Sequence, residues 1–218
     1  MPAPAAVVFD LDGVIVDSEQ VWNEAREHLV RERGGTWHEQ ATADMMGMSS
    51  KEWSQYMHDR LGVPMEPAAI NDEIVRRVMA IYEQGLPLLA HAVETVREVA
   101  ARWPLGLGSS SNRPIIDLVL QRSGLAPCFG VVVSSEEVER GKPAPDVYLA
   151  VARGLDVEPK DCVAIEDSTN GIKSAAAAGM RTIAVPNLHF PPADDALATA
   201  ALVVSSLAVV TSELVASL

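Results

Sequence analysis

The chain has 218 residues, with 17 basic side chains against 30 acidic ones, so its formal net charge is −13. This acidic balance argues against a general nucleic-acid binder, because the phosphate backbone would be repelled. A composition of 48% apolar and 22% charged residues is typical of a globular chain with a substantial core and excludes a disordered one.

Six continuous apolar runs punctuate the chain. Runs of this kind are typical of buried parallel strands. They predict strands over 6–9, 105–108, 130–133, 162–165, 182–185 and 201–204. Helical patterns lie between the later runs, and they predict helices over 93–100, 114–122, 145–153 and 169–178. Strands that alternate with helices at this spacing predict an α/β fold, a Rossmann-like parallel sheet with helices on both faces.

The stretch 17–84 contains no strand-like run and interrupts this alternation. One helical stripe passes through Trp22 and Leu29, and another passes through Ile74 and Tyr82, as expected of helices that bury one face. We therefore expect a helical cap over 17–84, inserted into an α/β core made of residues 1–16 and 85–218. An insertion after the first strand would lie over the crevice in which open α/β sheets bind ligands.

The sharpest chemical signal is the string Asp-Leu-Asp-Gly-Val at 10–14. Asp10 ends a buried strand, Asp12 follows two positions later, and Gly13 permits a turn. A buried carboxylate needs a compensating partner, and two carboxylates this close repel each other unless a cation or a shared proton intervenes. A calcium loop would continue with further oxygen ligands and a late glutamate, whereas this chain continues with Val-Ile-Val.

Two loops that follow strands carry groups suited to an anion. Three serines and Asn112 occupy 109–112, and hydroxyl and N–H groups at a helix N-terminus form a place for phosphate. Lys142 stands between Gly141 and Pro143, just before another predicted helix. A lysine fixed there can hold a phosphoryl oxygen and a carboxylate together. Taken singly, each loop also fits a plain helix cap or a solvated lysine.

A second acidic pair, Glu166 and Asp167, ends the fourth predicted strand. Buried paired acids are costly unless they bind a metal, and oxygen ligands select Mg²⁺. Together with Asp10 and Asp12, these four carboxylates against Lys142 give a local charge of −3. Because ligands bind at the carboxyl ends of parallel strands, the sequence predicts a site that needs Mg²⁺ before it can accept a phosphate.

In the order of these four motifs, and over nearly the whole chain, the sequence resembles the haloacid dehalogenase superfamily of phosphohydrolases. It is most similar to the helical-cap subgroup of β-phosphoglucomutase-like and sugar-phosphate-phosphatase-like proteins. The resemblance implies that Asp10 attacks phosphorus to form an aspartyl-phosphate and that Asp12 is the general acid and base. It also implies that Ser109 and Lys142 complete the catalytic set by holding the phosphoryl oxygens.

The resemblance further implies a metal site and a substrate site. Mg²⁺ would be held by Asp10, Asp12 and Asp167, with Glu166 as a further ligand or an outer partner. The residues expected to contact phosphate or substrate are Ser109, Ser110, Asn112 and Lys142 in the core and Glu19 and Gly47 in the cap.

These implications lead us to expect a Mg²⁺-dependent phosphatase of a small phosphorylated metabolite, a sugar or polyol phosphate. A phosphosugar mutase is the alternative, but Trp22 stands where the mutase-like relatives carry a histidine. Ser50 or Lys51 stands near the place of their cap arginine. A phospho-acceptor signalling domain is the alternative from another class. Asp12 argues against it because it would hydrolyse the phosphate, and so does the helical insertion.

The remaining expectations concern location and partners. No apolar stretch is long enough to span a membrane, and the N-terminus lacks the basic and apolar regions of a signal peptide. Cys128 and Cys162 lie far apart and fit free thiols in a reducing compartment. We therefore expect a cytoplasmic protein with no nucleic-acid or membrane partner. We also expect a monomer, because nothing in the cap indicates a dimer.

Overall fold

A parallel sheet lies at the centre of the computed structural model, which describes residues 3–45, 48–187 and 190–218. Within this described part, the sheet has six strands in the order β3-β2-β1-β4-β5-β6. The strands are β1 Ala6–Phe9, β2 Leu105–Ser109, β3 Phe129–Ser134, β4 Cys162–Glu166, β5 Arg181–Ala184 and β6 Leu202–Val203. All pairings are parallel, so the predicted α/β fold with a Rossmann-like sheet is confirmed.

Ten α-helices accompany the sheet in the same described residues. The first four are α1 Glu19–Glu32, α2 Ala41–Met45, α3 Ser50–Asp59 and α4 Pro67–Gln84. The other six are α5 Ala92–Ala100, α6 Arg113–Ser123, α7 Asp146–Gly154, α8 Thr169–Ala177, α9 Asp194–Leu197 and α10 Ser212–Ala216. Short 3₁₀ turns lie at Ala126–Cys128, Ser135–Glu137, Pro159–Asp161 and Leu207–Val209.

The central strand β1 buries both of its faces. Val7 and Phe9 point into a core shared with α5 and α6, whereas Ala6 and Val8 point into a second core shared with α7 and α8. Successive side chains of a strand face opposite ways, so a strand covered by helices on both sides must be apolar at every position. This is the physical reason that the apolar runs predict the strands.

The helices α1 to α4 form the insertion that the sequence predicts between the first two strands. Trp22 and Leu29 of α1 and Ile74 and Tyr82 of α4 are buried, and these two helices pack on each other. Ser49 begins α3 with a capping box that it shares with Glu52, a start signal of the S-x-x-E type. The division into a core and a cap at 16/17 and 84/85 stays a prediction.

The insertion leaves and returns to the core at one place. Val16 forms an antiparallel bridge with Leu88. The N–H of Asp17 donates to the carbonyl of Pro87 at 2.8 Å, and the N–H of Leu89 donates to the carbonyl of Ile15 at 3.0 Å. The two connecting segments therefore run side by side, just beyond the carboxyl end of β1.

The predicted ends of the six strands and of the four helices between them differ from the observed ends by at most one residue. β5 begins at Arg181 and ends at Ala184, and β6 is reduced to Leu202–Val203. The helix predicted from Pro145 begins at Asp146, with Pro145 at the cap position. Element ends depend on hydrogen bonds that apolar patterning does not encode, so shifts of this size are expected. None of the helices in the described ranges is long and apolar enough to cross a membrane.

Candidate active site

The nucleophile predicted from the sequence, Asp10, lies at the carboxyl end of β1 beside a buried lysine. Its backbone N–H donates to the carbonyl of Ile165 at 3.0 Å, which ties the first residue after β1 to the neighbouring strand β4. The Lys142 ammonium donates to Oδ1 of Asp10 at 2.8 Å and to Oε1 of Glu166 at 2.6 Å. All three side chains are buried, so the lysine charge is shared between two carboxylates in a water-poor environment.

Glu166 is saturated with hydrogen bonds. Its Oε1 accepts from Lys142 and from the Tyr148 hydroxyl, the latter at 2.7 Å. Its Oε2 accepts from the backbone N–H groups of Asp167 and Ser168 at 3.0 and 3.2 Å, and from the Ser168 hydroxyl at 3.2 Å. Five donors on two oxygens hold the Glu166 carboxyl group in one orientation, in which it fixes Lys142 in place.

Two glycines bring the backbone close to the side chains of Glu166 and Asp167. A Cβ at Gly171, in the first turn of α8, would lie 1.8 Å from Oε1 of Glu166. Gly13 has φ +74°, and a Cβ there would lie 1.8 Å from Oδ2 of Asp167. Both glycines therefore allow the chain to approach the acidic pair closely, and Gly13 makes the turn that the Asp-x-Asp-Gly string predicts.

Tyr148 is a site residue that sequence reasoning missed. Its hydroxyl donates to Glu166 and also accepts from Lys142 at 3.2 Å, and the Lys142 ammonium lies 4.9 Å from the centre of its ring. Burial and the Glu166 charge raise the pKa of Tyr148 well above its ordinary value. In the sequence it continues the apolar stripe of α7, and its only signal is a hydroxyl at a position that must be buried.

Asp12, the predicted acid and base, is held by a different loop. Its Oδ2 accepts from the hydroxyls of Ser109 at 3.1 Å and Ser111 at 2.7 Å, while its Oδ1 is buried with no partner among the described residues. The N–H of Ser111 in turn donates to Oγ of Ser109 at 2.9 Å. Ser111 is thus a second missed residue, and one oxygen of Asp12 remains open to a further group.

The acidic residues Asp10, Glu166 and Asp167 offer carboxylate oxygens that all lie within 4.8 Å of one another. Burial and then the neighbouring carboxylates raise the pKa of Asp167 well above its ordinary value. Burial also raises the pKa of Asp10 to about 8, although Lys142 opposes this shift. Lys142 therefore compensates only part of the clustered negative charge, and hard oxygen donors in this arrangement fit Mg²⁺.

Lys142 responds to the same environment in the opposite direction. Burial alone would lower its pKa, but the charges of Asp10 and Glu166 outweigh burial, so the pKa is raised and the ammonium stays protonated. The Lys142 ammonium therefore faces three acidic side chains, Asp10, Glu166 and Asp167. Its one positive charge does not balance them, and a divalent ion would supply the missing positive charge.

Asp10, Asp12 and Lys142 open onto a pocket of about 170 Å³. Asp167 and the predicted substrate contacts Ser110, Asn112 and Glu19 also line it. Gly47, a further predicted contact, lies outside the described residues, as does Met46. The lining also includes Trp22, Arg26, Met45 and Trp53, which lie on helices of the insertion. The structure therefore brings the four sequence motifs together at one edge of the sheet, facing the insertion.

Asn112 is engaged in joining the insertion to the core. Its amide nitrogen donates to Oε1 of Glu136 at 2.6 Å and to Oδ1 of Asn71 at 3.1 Å. The same Glu136 oxygen accepts from the Ser50 hydroxyl of α3 at 2.8 Å. Asn112 occupies the N-cap position of α6, and its side chain makes no capping hydrogen bond there.

The sheet carries a buried carboxylate–lysine cluster at its carboxyl edge, which is the edge where open α/β sheets bind ligands. Residues 7–185 match the sequence model of the family described as haloacid dehalogenase-like hydrolase. The chain belongs to this family. Its fold agrees with a crystal structure of CbbY from Rhodobacter sphaeroides in complex with phosphate, with a TM-score of 0.88 over 99% of this chain and 100% of that one at 24% identity.

Curated relatives narrow the class of reaction. The chain is 31% identical to fructose-1-phosphate phosphatase YqaB of Escherichia coli, over 83% of this chain and 96% of the relative. It is 32% identical to hexitol phosphatase B of Escherichia coli, over 83% of each chain. It is 30% identical to the bifunctional riboflavin kinase/FMN phosphatase of Arabidopsis thaliana over 84% of this chain, but spans only 49% of that relative. The chain is a phosphoric monoester hydrolase of the haloacid dehalogenase type.

Proposed function

We propose that the protein is a Mg²⁺-dependent phosphatase that hydrolyses a sugar or polyol phosphate through an aspartyl-phosphate. The observation that carries this proposal is the contact of 2.8 Å between Lys142 and Asp10 on the wall of a pocket that Asp12 also lines. The lysine holds one oxygen of the nucleophile and leaves the other for attack. Its charge also stabilises the negative charge that accumulates on the phosphoryl group.

The first chemical step forms a bond from a carboxylate oxygen of Asp10 to phosphorus as the bond from phosphorus to the ester oxygen breaks. Asp12, entering the step as a carboxylic acid, gives its proton to the departing alkoxide, so the alcohol leaves neutral. The hydroxyls of Ser109 and Ser111 hold one Asp12 oxygen, and they direct its unpartnered Oδ1 toward this proton transfer.

The second step consumes water. The Asp12 carboxylate accepts a proton from the water as the water oxygen bonds to phosphorus and the bond from phosphorus to Asp10 breaks. Inorganic phosphate leaves, Asp10 is again a carboxylate, and Asp12 is again an acid. The helices that carry Trp22 and Trp53 place apolar surface on the pocket, which limits the entry of other water.

A Mg²⁺ ion would be held by Asp10, by the backbone carbonyl of Asp12 and by Asp167. When bound, it supplies positive charge that offsets repulsion between these carboxylates and a phosphate dianion. Glu166 serves best as a positioning residue for Lys142, because both of its oxygens already accept from other donors.

The names of the relatives support a sugar or polyol phosphate, since one is a fructose-1-phosphate phosphatase and another a hexitol phosphatase. Trp22, in place of the histidine of mutase-like proteins, packs edge-to-face on Trp53 at 6.0 Å and offers no acid or base. This favours hydrolysis over a mutase reaction.

The decisive experiment measures phosphate release from a panel of sugar and polyol phosphates by the wild type and by Asp10→Asn. We expect multiple turnovers for the wild type and a loss of at least about 1,000-fold in the variant, which lacks the nucleophile at nearly unchanged volume. Asp194→Asn, at an exposed aspartate, is the matched control and should retain full activity. Substantial turnover by Asp10→Asn would refute the covalent mechanism, and bisphosphate-dependent isomerisation with little phosphate release would favour a mutase.

The metal assignment has a readout that does not need turnover. Mg²⁺ should raise the melting temperature of the wild type, because an ion that binds only the folded state stabilises it. Asp167→Asn should lose most of this increase, and EDTA should abolish activity until Mg²⁺ is restored. Activity that persists without metal, or an equal Mg²⁺ effect in both proteins, would contradict the assignment.

A further inference from the structure

Arg26 is a cationic pocket residue that the proposed chemistry does not use. It lies on α1 with Glu19 and Trp22 at spacings of three and four residues, so the three share one face of the helix. All three line the pocket that also contains Asp10 and Lys142. The sequence motifs give no signal for Arg26, because an arginine on an amphipathic helix reads as a solvated position.

The charge of Arg26 is already compensated. Its guanidinium carbon lies 5.0 Å from the centre of the Trp22 ring and 4.8 Å from the centre of the Trp53 ring, which is within the range of cation–π attraction. Burial lowers its pKa to about 10, while the carboxylates of Glu19 and Asp12 act in the opposite direction. The group therefore remains a cation at neutral pH without direct contact to an acid.

The N–H donors of Arg26, unlike its charge, have no partner in the part of the chain that the structure describes. A guanidinium carries five N–H donors, and none donates to another residue in the ranges 3–45, 48–187 and 190–218. Its Nε is buried without a partner there. A buried donor that makes no hydrogen bond costs about 1–3 kcal/mol. A ligand that places an acceptor beside Arg26 would remove this cost.

The charges that line the pocket indicate whether this acceptor is an anionic group or an uncharged hydroxyl. Within the described residues, its acidic lining outnumbers the cations Lys142 and Arg26; the carboxylates are Asp10, Asp12, Asp17, Glu19 and Asp167. Mg²⁺ and the phosphoryl group of the substrate together add no positive charge. A second anionic group beside Arg26 would therefore also meet the Glu19 carboxylate, whereas a hydroxyl would not be repelled.

We infer that Arg26 is a specificity residue that donates hydrogen bonds to hydroxyl oxygens on the uncharged part of the substrate, next to the Glu19 carboxylate. A hydroxyl is both donor and acceptor, so adjacent hydroxyls can accept from Arg26 and donate to Glu19. The substrate class is then a phosphate ester with an uncharged, hydroxyl-bearing remainder. This inference rests on the proposed function.

The test compares kcat/KM on three probes: sorbitol 6-phosphate, 6-phosphogluconate and phenyl phosphate. The first two differ only at the far end, where a hydroxymethyl group is replaced by a carboxylate, and the third has no hydroxyl outside the phosphate. For the wild type we expect the order sorbitol 6-phosphate, then 6-phosphogluconate, then phenyl phosphate.

Arg26→Met keeps the apolar stem between the two tryptophans and removes every N–H. We expect it to lower kcat/KM for sorbitol 6-phosphate by about 10- to 100-fold, the range for a hydrogen bond from a charged donor, and to change phenyl phosphate less than about threefold. Arg26→Lys should give an intermediate loss, because one ammonium does not replace the planar fork. Arg31→Met, on an exposed arginine of the same helix, is the matched control and should match the wild type.

Four results would overturn the inference while the proposed function stands. These are a wild-type preference for 6-phosphogluconate, no cleavage of sorbitol 6-phosphate by a wild type that cleaves phenyl phosphate, an equal loss on all probes in Arg26→Met, and no loss at all. If the wild type released phosphate from none of the three probes and from no compound of the sugar phosphate panel, the proposed function itself would be refuted. A melting curve for each variant separates loss of contact from loss of fold.

Discussion

The two sides of the pocket differ in how completely their polar groups are paired. On the sheet side, Glu166 has both oxygens filled, and Lys142 contacts Asp10, Glu166 and Tyr148. On the insertion side, Arg26 donates to none of the described residues. A paired cluster holds one geometry, as a reacting centre requires, whereas unpaired groups are available to a ligand. This difference supports the proposals that the sheet carries the chemistry and that the helices select the substrate.

The largest effect should come from breaking the paired cluster at its cation. Lys142→Met leaves the buried Asp10 carboxylate without its cation and removes one of the five donors to Glu166, which we expect to destabilise the fold by about 3–5 kcal/mol. Activity should fall at least about 1,000-fold, because charge on the phosphoryl group is no longer offset. Chemical denaturation and phosphate release measure the two quantities. Lys160→Met, at an exposed lysine, should change neither, and a stable Lys142→Met would show that the cluster tolerates the loss.

A smaller effect is expected from Tyr148→Phe, which removes one of five donors to Glu166. We expect a loss of about 1 kcal/mol in the free energy of unfolding and a severalfold fall in kcat, since Lys142 keeps its contacts with both acids. The matched control is Tyr56→Phe, whose hydroxyl donates to Asp44 in an exposed pair, and its kcat should equal that of the wild type. If Tyr148→Phe were as inactive as Lys142→Met, the hydroxyl would have a direct part in the reaction.

The smallest effect concerns an ion pair away from the pocket. Glu73 on α4 accepts from Arg76 and Arg77 at 2.7–2.8 Å, and the hydrogen bond from Arg76 is the main reason that its pKa falls to about 2. A lowered carboxyl pKa stabilises the fold above the unfolded value of about 4.3, and this contribution disappears as the pH falls toward 2.

We therefore expect Glu73→Gln to be less stable than the wild type by at most about 1 kcal/mol at neutral pH. The difference should shrink from pH 5 downward, and urea denaturation at several pH values measures it. Glu83→Gln, at an exposed glutamate of the same helix, should show no such trend. A difference that stays constant down to pH 2 would mean that the pair does not stabilise the fold.

The parts of the molecule that follow from short-range rules were predictable from sequence. The strand β1 must be apolar on both faces, so its run identifies the element and places Asp10 at its carboxyl end, whereas the nucleophilic role of Asp10 is what the family resemblance implies. Ser111 and Tyr148 were not predictable in this way. Their roles depend on the distance from Asp12 and Glu166 across the fold, and a serine in a cap loop or a tyrosine in an apolar stripe has a sufficient local explanation.

Arg26 shows the same limit from the insertion side. Its significance depends on two tryptophans from different helices, Trp22 of α1 and Trp53 of α3, which meet only after the helices pack. Periodicity places each of them on a buried face but cannot state which residues lie opposite. Sequence patterns therefore indicated the pocket residues at the edge of the sheet more fully than those on the helices of the insertion.

The bridge between Val16 and Leu88 has a consequence for how the insertion can vary. The two ends of the insertion are held next to each other. The four helices are therefore connected to the sheet in the same way as a tight loop would be. The entropy of closing such a loop grows only slowly with its length, so residues can be added or removed beyond this neck with little effect on assembly of the strands. We therefore expect that the helical insertion can change in length and sequence while the strand order and the carboxyl edge of the sheet stay the same.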